Sequence, residues 1–143
     1  MIEIAYLTAD SWVAPEHFHA RWCDVETHPE WAPGMEYLRL DGPLVKGARG
    51  VMKAKDGPEC VFIVSDLVPG VAYQDTVVLD GAELTVRHES HPHGTGSRLE
   101  LHVRMDGPKA AERAAEMNGL ADALASDLAG LVALVERNAA RVG

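Results

Sequence analysis

Apolar and polar residues alternate with a period of two over most of the chain, then switch to a helical period near its end. From Met117 the apolar positions Met117, Leu120, Ala121, Leu124, Leu128, Leu131 and Val135 recur every three or four residues. At 100° per residue they share one face, while Glu116, Asp122, Ser126, Glu136 and Arg137 fall elsewhere. This predicts a long amphipathic helix beginning after Asp106-Gly107-Pro108, where proline suits the first turn because its missing N–H would have no partner there. Gly119 and Gly130 are expected on its wet side, each costing roughly 1 kcal/mol against alanine.

Before that helix the period-two pattern predicts strands at 2–8, 35–41, 49–55, 59–68, 71–79, 82–90 and 97–105. Asp41-Gly42-Pro43, Asp56-Gly57-Pro58, Pro69-Gly70 and Asp80-Gly81 mark turns between them. A short helix starts at Ala14-Pro15-Glu16 and carries Phe18, Arg21, Trp22 and Val25 at helical spacing. His28-Pro29-Glu30-Trp31-Ala32-Pro33-Gly34 breaks it, because two prolines so close do not fit a continuing helix. Val61, Phe62, Ile63 and Val64 are apolar on both faces, so parity leaves their inward side open.

Charge sets an expected register for the last hairpin. If paired residues sum to 187, Glu83 faces Arg104, Arg87 faces Glu100 and Glu89 faces Arg98. A slide by two instead sets Glu89 against Glu100 or Arg87 against Arg98, which like-charge repulsion disfavours. In the favoured register Leu84 pairs with Val103, Val86 with Leu101 and His88 with Leu99 on the interior face. Residues 90–96 then form the connecting loop.

Size and composition narrow the picture. The 143 residues are expected to form one domain over 1–143, large enough for a core without metal or disulfide staples. Two cysteines, Cys23 and Cys60, read as separate thiols. The start Met1-Ile2-Glu3-Ile4 has no basic, apolar leader and no stretch is long enough to span a membrane, so a cytoplasmic location is expected. A net charge of −9, with 13 basic residues scattered among 22 acids, argues against nucleic acid and anionic membranes. A small neutral or apolar molecule, or another protein, is the expected partner, with the chain a monomer or homodimer.

Strand, short helices, antiparallel strands and one long helix is the order of the helix-grip fold. Several spaced words agree: Ala14-Pro15-Glu16, Trp22-Cys23-Asp24, Pro29-Glu30-Trp31-Ala32-Pro33-Gly34, Leu40-Asp41-Gly42-Pro43, Val68-Pro69-Gly70, Gly94-Thr95 and Asp106-Gly107-Pro108. Over residues 12–140 the chain resembles SRPBCC proteins of the START-like superfamily, in particular polyketide cyclase/dehydrase-type members. The resemblance implies an α+β fold, with a curved antiparallel sheet of about seven strands wrapped around a long C-terminal helix and one or two short helices after the first strand. It also implies a deep, largely apolar cavity between sheet and helix, with Ala110, Ala114, Ala121 and Ala125 leaving volume beneath the helix. His28 departs from the pattern by standing where relatives often carry an aromatic, which implies a more polar mouth near Trp31.

The function this implies is binding of a small hydrophobic or aromatic ligand, such as a lipid or polyketide, inside that cavity. The alternatives are an enzyme of cyclase, aromatase or dehydratase type, or a protein-interaction module of the heat-shock ATPase activator type. The mostly polar outer face of the terminal helix does not favour the last. His88, in an otherwise apolar interior row, is the best single candidate for ligand contact or acid–base work, though no catalytic residue is assigned. The other expected ligand contacts are Trp31, Tyr37, Tyr73, Leu99, Leu101, Met117, Leu120 and Leu124. Asp75 is expected to face solvent, since aspartate is rarely buried. No cofactor is expected, and no metal through His88, His91 and His93 or through His17 and His19. Cys23 and Cys60 have no adjacent base implied by spacing, and the glycines from Gly42 to Gly50 read as a strand connection.

Overall fold

In the computed structural model, which describes residues 1–142, strand β1 (Ile2–Ser11) is followed by helix α1 (Pro15–Cys23) and a 3₁₀ segment, Val25–Glu30. Six strands come next: β2 (Met35–Leu40), β3 (Arg49–Ala54), β4 (Glu59–Val68), β5 (Ala72–Leu79), β6 (Ala82–His93) and β7 (Gly96–Asp106). Helices α2 (Ala110–Ala115) and α3 (Leu120–Val142) close the chain. All seven strands form one antiparallel sheet in the order β1-β7-β6-β5-β4-β3-β2. Register shifts at Ile4, Glu36 and Ser65 bend it, as an extra residue on one strand does. No helix among the described residues is long and apolar enough to cross a membrane.

The concave face carries the core. Phe62 and Val64 of β4, Val77 of β5, Leu84 and Val86 of β6, and Leu99, Leu101, Val103 and Met105 of β7 are all buried. Phe62 and Val64 thus face inward, which the sequence pattern left open. Phe18 and Trp22 of α1, Val25, and Leu128, Leu131 and Val135 of α3 close over them. The register shift at Ile4 reverses the parity of β1, so Tyr6 points outward and stays exposed.

The terminal helical region departs from expectation in three ways. It is not one helix: Met117, Asn118 and Gly119 separate α2 from α3, and Gly119 has a φ of +86°, a conformation that ends helical hydrogen bonding. Its amino-terminal stripe is only half-buried at Met117, Leu120, Ala121 and Leu124, and Ala125 is exposed rather than beneath the helix. Gly130 is not on the wet side. An ideal Cβ there would lie 2.6 Å from the Trp31 carbonyl oxygen, so the backbone of α3 rests directly on the Trp31 peptide.

The last hairpin also differs. Its pairs sum to 189, with Leu84 opposite Met105, Val86 opposite Val103, His88 opposite Leu101 and Glu89 opposite Glu100. The strands run on to His93 and Gly96, so the expected seven-residue loop is a two-residue Gly94-Thr95 turn, and turn length sets register. The like-charged Glu89–Glu100 pair is tolerated because its neighbours neutralise it. Arg87 pairs with Glu89, His91 Nε2 lies 2.8 Å from Glu89 and 3.5 Å from Glu100, and the Tyr6 hydroxyl donates to Glu100. A two-residue slide preserves which face each side chain occupies, so His88 remains interior.

In a helix exposed at that point, Gly130→Ala would gain about 1 kcal/mol. Here the added methyl meets the Trp31 carbonyl, and the expected result is a loss of about 1–3 kcal/mol in urea unfolding. A gain would show that α3 does not rest on this peptide.

Candidate functional site

Tyr73, His88 and Leu101 stand side by side on the concave face, since Tyr73 pairs with His88 and His88 with Leu101. Above them lie Trp22 of α1, then His28 and Trp31 from the segment that breaks it, and Leu124, Asp127 and Leu128 of α3. Between these layers is a small, partly open hollow lined by Trp22, His28, Trp31, His88, Leu101, Leu124, Asp127 and Leu128. Its accessible volume is about 20 Å³, room for roughly one water. The deep apolar cavity implied by the sequence resemblance is therefore mostly filled. Large side chains do the filling: Phe18, Trp22, Leu128 and Leu131 are all nearly inaccessible.

The polar groups around the hollow are poorly compensated. Nδ1 of His88 lies 3.1 Å from the Tyr73 carbonyl oxygen, which can only accept. The proton therefore sits on Nδ1, and Nε2 is left as an acceptor. Burial pushes His88 down to about 4, against the opposing pull of the Tyr73 bond. His28 stacks on Trp31 with ring centres 4.0 Å apart, and burial, aided by nearby His88, pushes it down to about 3 although its edge still reaches the surface. Both imidazoles are thus neutral at neutral pH. The indole Nε1 of Trp31 is buried without a hydrogen-bond partner. Asp127 is half-buried, and burial raises its carboxyl to about 6.

Beside this hollow, Asp75 is buried, contrary to the solvated position expected for it. It lies on central strand β5, where every residue from Ala72 to Val77 is buried, and it alternates onto the concave face with Tyr73 and Val77. The Tyr73 hydroxyl donates to its carboxylate at 3.1 Å. Burial raises Asp75 to about 7 despite that bond, and burial followed by the Asp75 charge holds the Tyr73 phenol well above its ordinary range.

Of the residues singled out from the sequence, Trp31, His88, Leu101 and Leu124 line the hollow, with Tyr73 adjoining His88. Leu99 is wholly buried in the core but does not line it. Met117 and Leu120 lie half-buried at the α2–α3 break, outside the lining. Tyr37 is on the convex side, because Leu38 takes the inward place on β2. Its hydroxyl donates to Glu59, and the Arg39 guanidinium sits 4.1 Å from its ring centre. Asp127 and Leu128 complete the lining with Trp22 and His28. Asp127 follows Leu124 by three residues and precedes Leu131 by four, a spacing that places a carboxylate at the edge of the buried stripe.

Two further groupings bear on the sequence reading. Cys23 does have an adjacent base: His19, one helical turn earlier, places Nε2 3.3 Å from its sulfur. Burial raises the thiol and lowers the imidazole, so the pair is neutral and carries no thiolate nucleophile. On the convex face Glu89, His91 and Glu100 bring donor atoms within 4.8 Å of one another, although Arg87 and Tyr6 already engage the two carboxylates. A wider, open groove of about 580 Å³ lies between α1 and the end of α3. Its polar walls, His17, Arg21, Asp24 and Asn138, have no buried atom lacking a partner; among the described residues the buried atoms that lack one are Trp31 Nε1 in the smaller hollow and, outside both spaces, His19 Nδ1 and Arg113 Nε.

The interior titrations predict opposite pH trends. His88 is depressed on folding, so its contribution is present above about pH 6.5 and lost as pH falls toward 4. Relative to His88→Gln, the protein should lose stability on acidification through that window. Asp75 is raised, so its contribution is present below the ordinary carboxylate range and lost as pH rises toward 7. Relative to Asp75→Asn, the protein should lose stability on going from about pH 4 to 7. Each slope is at most about 1.4 kcal/mol per pH unit, measured by urea unfolding across pH, and a flat difference removes the group from the interior.

No protein-family model and no curated protein matches the chain. Solved structures do. A Nitrosomonas europaea protein superposes with a TM-score of 0.75 at 15% identity, covering 97% of each chain. A Mesorhizobium loti protein gives 0.74 at 16% identity, over 93% of this chain and 96% of that one. Norcoclaurine synthase from Thalictrum flavum, solved with dopamine and hydroxybenzaldehyde, gives 0.69 at 13% identity, over 93% and 86%. At such identities the likeness is one of architecture: this chain shares the helix-grip fold of these structures.

Proposed function

We propose that the protein binds a small, flat, largely apolar molecule, a single aromatic ring with a hydrogen-bond acceptor, in the hollow beneath α3. The observation that carries this reading is the buried Trp31 Nε1–H, which has no acceptor. A buried donor left unpaired costs about 1–3 kcal/mol, and a ligand carbonyl or hydroxyl recovers it. Apolar burial supplies the remainder, at roughly 25 cal/mol per Å². Room for a ring comes from the roof. The amino-terminal half of α3 is the least buried part of the cover, and the break at Met117–Gly119 frees it from α2. That half lifts while Leu131 and Val135, both buried, hold the rest in place. A single ring suits so limited an opening better than a sterol or a long acyl chain.

Proton-transfer chemistry of cyclase, aromatase or dehydratase type is the second reading, favoured by the Tyr73–Asp75 pair one strand from His88. A group titrating near neutrality is better matched to acid–base work than one titrating near 4, so this role falls to Asp75 before His88.

Acetophenone tests the binding reading. In ¹H–¹⁵N spectra it should shift the Trp31 indole N–H, and Trp31→Phe should weaken it about five- to tenfold, the worth of one such hydrogen bond. Ethylbenzene, with no acceptor, should bind more weakly than acetophenone to the wild type and be nearly indifferent to the substitution. Failure of both compounds to perturb any residue of the lining would refute the reading.

A further inference from the structure

Asp127 makes no ion pair and no side-chain hydrogen bond among the described residues, yet it projects from α3 into the hollow rather than away from it. No lysine or arginine lines that space. The imidazoles of His28 and His88, the nitrogen bases nearest to hand, are held neutral by burial and so provide no counter-charge. The site thus holds one acid without a cation beside one donor, Trp31 Nε1, without an acceptor. A half-buried carboxylate with no cation beside it gains from an opposite charge that arrives with the ligand.

The rest of the wall suits such a charge. Trp22 and Trp31 both line the hollow, and indole rings attract a nearby cation through their quadrupole, most strongly where water is excluded. The chain's net charge of −9 draws cations to it from solution. A metal ion fits less well. Donor atoms of Glu89, His91 and Glu100 on the convex face converge within 4.8 Å, whereas those of His28, His88 and Asp127 do not form such a group.

Resting on the binding reading above, we infer that the preferred ligand is an aromatic amine in its ammonium form, with Asp127 as counter-ion between the walls of Trp22 and Trp31. The Trp31 Nε1–H then meets the ligand's acceptor. Asp127 is in this sense the residue that sets specificity by charge, while the apolar lining sets it by shape.

4-Acetylbenzylamine, 4-acetylbenzyl alcohol and 4-acetylbenzoate share one ring and one carbonyl acceptor for the Trp31 indole, and differ in charge. Each is titrated into ¹⁵N-labelled protein at neutral pH while the Trp31 indole N–H is followed. Salt is held at 0.15 M, where the screening length of about 8 Å suppresses the general pull of the acidic surface. The amine should bind about tenfold more tightly than the alcohol, with the benzoate weakest. Asp127→Asn should bring the amine to within about twofold of the alcohol. Equal binding of amine and alcohol to the wild type, or an amine preference that survives Asp127→Asn, overturns the inference and leaves the binding reading standing. If Asp127→Asn does not fold, the wild-type order decides alone, and any order other than amine, alcohol, anion overturns it. If none of the three moves the Trp31 signal and acetophenone also fails, both readings fall together.

Discussion

The height of the roof is set where Gly130 meets the Trp31 peptide. Because residue 130 has no side chain, α3 descends until its backbone touches a carbonyl oxygen of the segment that ends the first helical region. That contact joins the chain's last element to the loop before β2. It brings Leu128 and Leu131 down onto the concave face and leaves a water-sized space beside Trp31. A larger residue at 130 would raise the helix, and a wide cavity would replace the present hollow. The volume available to a ligand therefore depends first on a backbone contact and only then on the side chains that line it.

Under that roof the interior mixes two kinds of group that ordinarily exclude one another. The core of β4, β6 and β7 is apolar and closely packed around Phe62 and the aliphatic side chains of β6 and β7. Within the same layer sit Asp75, His88 and Tyr73, with His28 and Asp127 at the rim, and none of them has a buried cation as partner. Low dielectric eases the conflict, holding both histidines neutral and shifting the carboxyls upward, Asp75 to about 7 and Asp127 to about 6. The convex face solves the opposite problem by pairing. There Arg87 pairs with Glu89 of its own strand β6 and reaches over β5 to Asp66 of β4, and Ser65, Gln74, Thr76 and Thr85 bond to one another. One side of the sheet keeps charges and satisfies them; the other suppresses them. The concave cluster leaves the Trp31 Nε1–H unpaired, and the convex network leaves none of its own groups so.

The strands were legible because alternation is a local property. Gly and Pro mark where each run stops, and a residue's face follows from counting by two, which is why His88 could be placed inside before any contact was known. The register of β6 and β7 was not legible from charge. The Gly94-Thr95 turn decided it, and the repulsion between Glu89 and Glu100 is relieved by Tyr6, which belongs to a strand far away in the chain. Trp31 and Leu124 could be read as lining residues because each sits where proline punctuation or helical spacing puts it. Tyr37 could not be excluded, since its face depends on a register shift at Glu36 that no pattern announces.

By itself, then, the order of residues determined the kinds of element, their sequence, and the helix-grip arrangement they make, because these follow from periodicity and from where glycine and proline interrupt it. It also put one histidine inside. Only the folded chain decided how much space remains within and what charge that space tolerates. Those depend on how closely α3 settles on Trp31 and on which polar groups it traps there, Asp75 and Asp127 among them. Contacts between segments a hundred residues apart obey packing and dielectric, and neither is written in any short stretch of sequence.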